Sequence, residues 1–262
     1  MSSMLITGGA SGIGLKIAEY FAARGIHPIV VDIDRNLEES FNHSLSGFAC
    51  QGTFINSDAS DWESAPEVFL RLSEMDLRPS ILINNISPRS HSSFMSEDYE
   101  GWKTTISGTL DSAFTYSRRF IEMNSNVDYS RIINISSINA ELVGIQSPSY
   151  HVAKAGLEML TKYIALNGKK ILPSLTVNAI QAAMIIQERH LEKFNHRDNS
   201  EYRNIVQRYL QGPVGEEIDI CKLVEFLSSK EAKFVNGAII KLDGGASNHE
   251  QLSLLLDAQN YD

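Results

Sequence analysis

The chain is short of cysteine: only Cys50 and Cys221 occur in 262 residues. Two thiols cannot build a disulfide framework, and they are not arranged as a metal site, so both are expected to be reduced. No apolar run reaches the roughly eighteen residues needed to cross a bilayer. The opening, MSSMLITGGA, has neither the basic start nor the apolar stretch of a secretory signal. A cytoplasmic protein without a membrane partner is expected, in which the Asn-x-Ser triplets at Asn42, Asn85 and Asn134 carry no glycan. Basic residues are in the minority, 23 against 32 acidic ones, for a formal charge of -9. That balance argues against a nucleic-acid partner, whose phosphates are met by basic patches. No proline- or serine-rich linker, low-complexity tract or internal repeat divides the chain, so a single domain over 1–262 is expected.

What is present is concentrated between Ile132 and Lys162, IINISSINAELVGIQSPSYHVAKAGLEMLTK. A β-branched apolar run ends in Ser136 and Ser137, a polar loop follows, and Tyr150 and Lys154 open a segment with apolar residues at helical spacing. Four residues apart on a helix, those two side chains share a face. A phenol with an ordinary pKa of about 10 is a poor proton donor or acceptor at neutral pH, and an ammonium beside it stabilises the phenolate. Tyr150 so placed would give a proton to a carbonyl oxygen or take one from an alcohol, with the Ser137 hydroxyl bonding the same oxygen. An exposed helix face with an ordinary Tyr and Lys would show the same short pattern.

At the other end of the chain, Met4 to Thr7 is an apolar strand running into TGGASGIG, after which Ile13, Ile17, Phe21 and Ala22 recur at helical spacing. Gly8, Gly12 and Gly14 therefore sit at a strand-to-helix turn. Glycines let the backbone turn tightly there and approach a ligand, and the free N–H groups of the helix start attract a pyrophosphate. HPIVVDI is the next strand; Asp32 near its end accepts hydrogen bonds from adenosine ribose hydroxyls and repels a 2′-phosphate. NAD(H) is expected over NADP(H), with Arg35 close by as a rival phosphate partner. Alternating strands and helices along the whole chain argue an α/β fold with a parallel sheet and right-handed crossovers.

These motifs resemble the short-chain dehydrogenase/reductase family, from the T-G-x-x-x-G-x-G start to Asp243-Gly244-Gly245. Ser137 stands thirteen residues before Tyr150, the family's spacing between its serine and the tyrosine of Y-x-x-x-K. The resemblance implies a Rossmann-type doubly wound parallel sheet of seven strands with helices on both faces. It implies Ser137, Tyr150 and Lys154 as catalytic residues, with Thr109 standing where the family has an asparagine that holds a relay water. For the dinucleotide it implies Gly8, Ser11, Gly12, Ile13, Gly14, Asp32, Asp58, Ala59 and Asn84, together with Tyr150 and Lys154 at the nicotinamide ribose. For the substrate it implies Arg89, His91, Asn139 and Met184, and a lid at about 184–212. No metal ligands are implied. A homodimer or homotetramer is, through the helix at Ser96 to Met123, whose Trp102, Ile106, Leu110 and Phe114 form an i+4 stripe, and the Tyr-Lys helix.

The chain departs from the family pattern in three places. Asn84-Asn85-Ile86-Ser87 replaces N-N-A-G, Thr109 replaces asparagine, and Gln181-Ala182-Ala183-Met184-Ile185-Ile186 stands where Pro-Gly and a threonine are usual. The expected activity is NAD(H)-dependent interconversion of a secondary alcohol and a ketone on a small or medium polar substrate. Two alternatives stay open on the sequence: a dinucleotide-binding regulatory or scaffold protein with little turnover, and an enzyme that uses transient oxidation for epimerisation or elimination.

Overall fold

Period-two alternation builds the centre of the molecule. In a computed structural model, which describes residues 2–48, 50–88, 92–187, 204 and 214–248, Met4 and Ile6 of strand Ser3–Thr7 (β1) face one side and Leu5 the other. The pattern repeats in His27–Asp32 (β2), where Val30 opposes Ile29 and Val31, and in Ile81–Asn84 (β4), where Ile81 and Ile83 oppose Leu82. With Thr53–Asn56 (β3), Ser130–Ser137 (β5), Leu175–Ala182 (β6) and Ile239–Leu242 (β9), these strands form one seven-stranded parallel sheet in the order β3-β2-β1-β4-β5-β6-β9. Ile185–Ile186 (β7) and Gly215–Glu216 (β8) pair separately. A parallel sheet hides both faces, which is why its central strands are rich in Ile, Leu and Val. One face is covered by Gly12–Ala22 (α1) and Glu217–Leu227 (α7), with Ile17, Phe21, Ile220 and Val224 inward. The other is covered by Ser64–Glu74 (α3), Ser112–Met123 (α5) and Pro148–Asn167 (α6), which bury Val68, Phe69, Tyr116, Phe120 and Ile164.

The seven-stranded doubly wound fold expected from the sequence is the one observed, and the differences are local. Leu37–Leu45 (α2) is a helix that the sequence reading passes over, although Leu37, Phe41 and Leu45 stand at i+4 spacing. Trp62 lies outside α3, half exposed, and stacks on Phe114 with ring centroids 5.7 Å apart. The helix expected over Ser96–Met123 starts at Tyr99, capped by the Asp98 side chain, which accepts from the Gly101 N–H at 2.8 Å. Tyr99–Ile106 (α4) is joined to α5 by a π-turn at Ser107–Asp111. There Gly108 lies against Pro88, whose Cγ would be 2.4 Å from any Cβ at that position. The i+4 stripe is not buried in the monomer: Trp102 and Phe114 are 39% and 38% exposed. Finally, β6 continues as a strand to Ala182, through residues that the family pattern places beyond it. The lid expected at about 184–212 falls outside the described residues beyond Gln187, Asn204 apart.

A polar cluster pins the sheet's centre to its helices. Asn84 Nδ2 donates to Ser117 Oγ at 3.1 Å and to Asn134 Oδ1 at 2.7 Å, and Asn134 Nδ2 donates to Thr161 Oγ1 at 2.8 Å. All four residues are at most 4% exposed. Removing one member leaves others buried without partners. Asn134→Ala is expected to lower the free energy of unfolding by about 1–3 kcal/mol in urea titrations, while the same change at exposed Asn42 leaves it within about 0.5 kcal/mol of wild type.

Candidate active site

The carboxyl ends of β1, β4, β5 and β6 meet at one edge of the sheet. Between them lies a cleft of about 280 Å³ lined by Ile13, Asn85, Ser87, Ser137, Tyr150, Lys154, Met184 and Gln187, among others. The three residues that the Y-x-x-x-K spacing singled out thus come together. Pro148 at the helix start and the Ser147 hydroxyl, which accepts from the Tyr150 N–H, cap α6 so that Tyr150 falls in its first turn. Tyr150 is 4% exposed and Lys154 2%. Lys154 Nζ donates to the Ile135 carbonyl at 2.7 Å and lies 5.7 Å from the centroid of the Tyr150 ring. Ser137 is half-buried, and its Oγ accepts from the Asn139 N–H at 3.2 Å. The other buried tyrosine on this side of the sheet, Tyr116, is pushed up to about 12 by burial and bonds Ser64, so its proton stays put at neutral pH.

The glycine turn closes against the same cleft. Gly8 and Gly12 have φ of 62° and 51°, values that favour glycine. Gly14 is helical, but a Cβ on it would sit 2.3 Å from the Gly8 carbonyl oxygen. Ser11 is the exposed N-cap of α1 and Ile13 faces the cleft. Beside the turn is a pocket of about 370 Å³ lined by Ala10, Ser11, Gly12, Lys16 and Gln187. Asp32 is 8% exposed, and its two carboxylate oxygens accept from the N–H groups of Ala10 and Asp34, each at 3.2 Å. The fold therefore sets this carboxylate directly against the turn. Asp58 is exposed, holding Ser60 through Oδ1, and Ala59 beside it is buried. This backbone, with no Cβ on Gly8, Gly9, Gly12 or Gly14 and a carboxylate at its far end, fits a dinucleotide.

Other expected residues sit elsewhere. The Asn84 side chain turns into the polar cluster under the sheet, and its neighbour Asn85 faces the turn, with Nδ2 2.9 Å from the Gly8 carbonyl. Alternation along β4 explains the exchange: if Asn84 points to α5, Asn85 cannot. Thr109 is 1% exposed in the π-turn, and its Oγ1 has no hydrogen-bond partner among the described residues. Asn139 lies over Gly144 and does not line the cleft, whereas Met184 does. Arg89 and His91 fall outside the described residues. Gln187 is the residue sequence reasoning missed. It lines both the cleft and the glycine-turn pocket, and its Oε1 is buried with no partner among the described residues. Its only signal in sequence is its place as the first polar residue after the apolar run Met184-Ile185-Ile186.

A family model described as enoyl-(acyl carrier protein) reductase matches residues 8–247. Over 251 residues the chain is 26% identical to the 7alpha-hydroxysteroid dehydrogenase of Bacteroides fragilis, covering 94% of either chain. It is 28% identical to the D-beta-hydroxybutyrate dehydrogenase of Cupriavidus necator, over 92% of this chain and 96% of that one. The structure of a short chain dehydrogenase from Bacillus anthracis superposes with a TM-score of 0.83 at 24% identity, over 95% of this chain and 98% of that one.

The contact between Gly14 and the Gly8 carbonyl leaves no room for a methyl group. Gly14→Ala is expected to cost about 1–3 kcal/mol of stability by overpacking and to abolish NADH-dependent fluorescence changes in the folded variant.

Proposed function

The chain belongs to the short-chain dehydrogenase/reductase family, and from that premise we propose that it is an NAD(H)-dependent oxidoreductase interconverting a secondary alcohol and a ketone on a small or medium polar compound. The observation that carries this is the meeting of Ser137, Tyr150 and Lys154 in one cleft that adjoins the glycine turn. When bound, the nicotinamide supplies the hydride donor or acceptor. Tyr150 takes the alcohol proton at its hydroxyl oxygen in the oxidative direction and returns it to the ketone oxygen in the reductive one. Lys154, one turn along the helix, would hold the nicotinamide ribose with its ammonium. Ser137 bonds the substrate oxygen and fixes its distance from Tyr150. Thr109 Oγ1, a buried hydroxyl with bonding capacity to spare, serves to bind a water that passes protons outward.

Asp32 supports NAD(H). Its carboxylate is fixed beside the Ala10 N–H, where it accepts ribose hydroxyls and repels the two charges of a 2′-phosphate. The hydroxyl and amide groups of Ser87, Asn85 and Gln187 in the cleft support a polar substrate. Exposed Trp102 on α4 and exposed Tyr163 and Leu166 on α6 support a homodimer or homotetramer joined through these helices. Among the described residues no helix is long and apolar enough to cross a membrane.

Two measurements bear on this function. Titrated with both dinucleotides, the protein is expected to bind NADH at least about tenfold more tightly than NADPH, and Asp32→Ala to erase the difference. Equal or tighter NADPH binding by the wild type would remove the Asp32 assignment. Tyr150→Phe is expected to lower kcat by about 10²–10⁴-fold with NADH affinity unchanged. Wild-type turnover in that variant would remove the Tyr150 assignment, and dinucleotide binding without turnover in the wild type would make the chain a scaffold instead.

A further inference from the structure

Helix α6 carries a third polar residue on the face of Tyr150 and Lys154. Glu158 is one turn past Lys154 and two past Tyr150, half-buried against the sheet. One oxygen, Oε1, accepts both from Ser136 Oγ at 2.7 Å and from Gln181 Nε2 at 3.0 Å. Ser136 is 4% exposed and Gln181 2%. The two donors are register partners on adjacent strands, Ser136 on β5 and Gln181 on β6, and the next rung along is Ser137 with Ala182. On the far side, β9 continues the rung with Lys241, which pairs with Glu141 at 2.9 Å. The helix therefore holds two consecutive residues of β5 just before Ser137: Ile135 through Lys154 and Ser136 through Glu158.

Gln181 shows what that hold is for. Its Oε1 is buried and has no partner among the described residues. An amide flip would put that oxygen against the Glu158 carboxylate, so the carboxylate fixes which way the amide points. Both sides of the cleft floor, Ser136 and Ser137 on β5 and Ala182 and Ala183 at the end of β6, are joined through this oxygen, while Glu141 also accepts from the Gln181 side chain on the side of β9.

We propose that Glu158 is a positioning residue, clamping the Ser136–Gln181 rung so that Ser137 and the Ala182-Ala183 backbone keep their places around the reacting oxygen. Its catalytic consequence rests on the hydride-transfer function proposed above; the clamp itself does not. Because both bonds fall on one oxygen, an amide at 158 supplies the same acceptor and a methyl group does not.

The test compares wild type, Glu158→Gln, Glu158→Ala and Ser136→Ala, with ethyl acetoacetate and NADH as the turnover probe and hydrogen exchange by mass spectrometry as a readout that needs no substrate. Glu158→Ala is expected to lower kcat by about ten- to a hundredfold through misplacement of reacting groups, with NADH affinity unchanged and Glu158→Gln restoring kcat to within about threefold. Its amides in 134–140 and 179–184 exchange faster, while those of the glycine turn do not. Should Glu158→Ala not fold, Ser136→Ala shows the same pattern at smaller size against Glu158→Gln. Unchanged exchange at both strand ends overturns the proposal, as does wild-type kcat in Glu158→Ala or equal damage from Gln and Ala. If the wild type reduces no ketone but exchange changes as expected, the hydride-transfer function fails and the clamp stands.

Discussion

One hydrogen bond holds the site together: the ammonium of Lys154 donating to the carbonyl of Ile135. A cation that is 2% exposed has given up most of its water and must find oxygen elsewhere in the protein. It finds it on the backbone of β5, two residues before Ser137, so the helix bearing Tyr150 and the strand bearing Ser137 share one distance. The low dielectric that makes the burial costly also strengthens this hydrogen bond.

The rest of the fold supplies the place where that bond can form. Parallel pairing sends every strand's carboxyl end to one edge, so the glycine turn after β1, Asp32 at the end of β2, Asn85 after β4 and Ser137 at the end of β5 become neighbours though far apart in sequence. Two aliphatic faces keep the sheet covered. Inside one of them, the Asn84, Asn134, Ser117 and Thr161 cluster replaces hydrocarbon contacts with directional bonds. Directional bonds fix register where interchangeable isoleucines would tolerate a slip.

Much of this was legible in the chain itself. Alternation and helical spacing give the strands, most helices and their order, because both patterns follow from backbone geometry alone. The glycine turn and the Tyr150–Lys154 pair were legible because their chemistry depends on residues close in sequence. The polar cluster around Asn84 was not legible, because two adjacent asparagines at a strand end look alike until the pleat decides which one points to α5. Glu158 was invisible for a different reason. Its meaning depends on Ser136 being level with Gln181, a register between strands that no local pattern records. The π-turn at Ser107–Asp111 hid inside a continuous helical pattern, since one extra residue in a turn barely disturbs the spacing of apolar side chains.

The segment before α4 also reaches the start of α6. Glu97 accepts from the Ser149 backbone N–H at 3.1 Å and from the Ser149 hydroxyl, next to Tyr150. At its other side the same segment runs directly into the Asp98 cap of α4. The chain between β4 and α4 is thus anchored at the very first turn of two different helices. Both anchors fall on neighbouring residues, Glu97 and Asp98, so the start of α4 and the first turn of α6 are tied through two adjacent carboxylates, and a shift of one helix start is passed to the other.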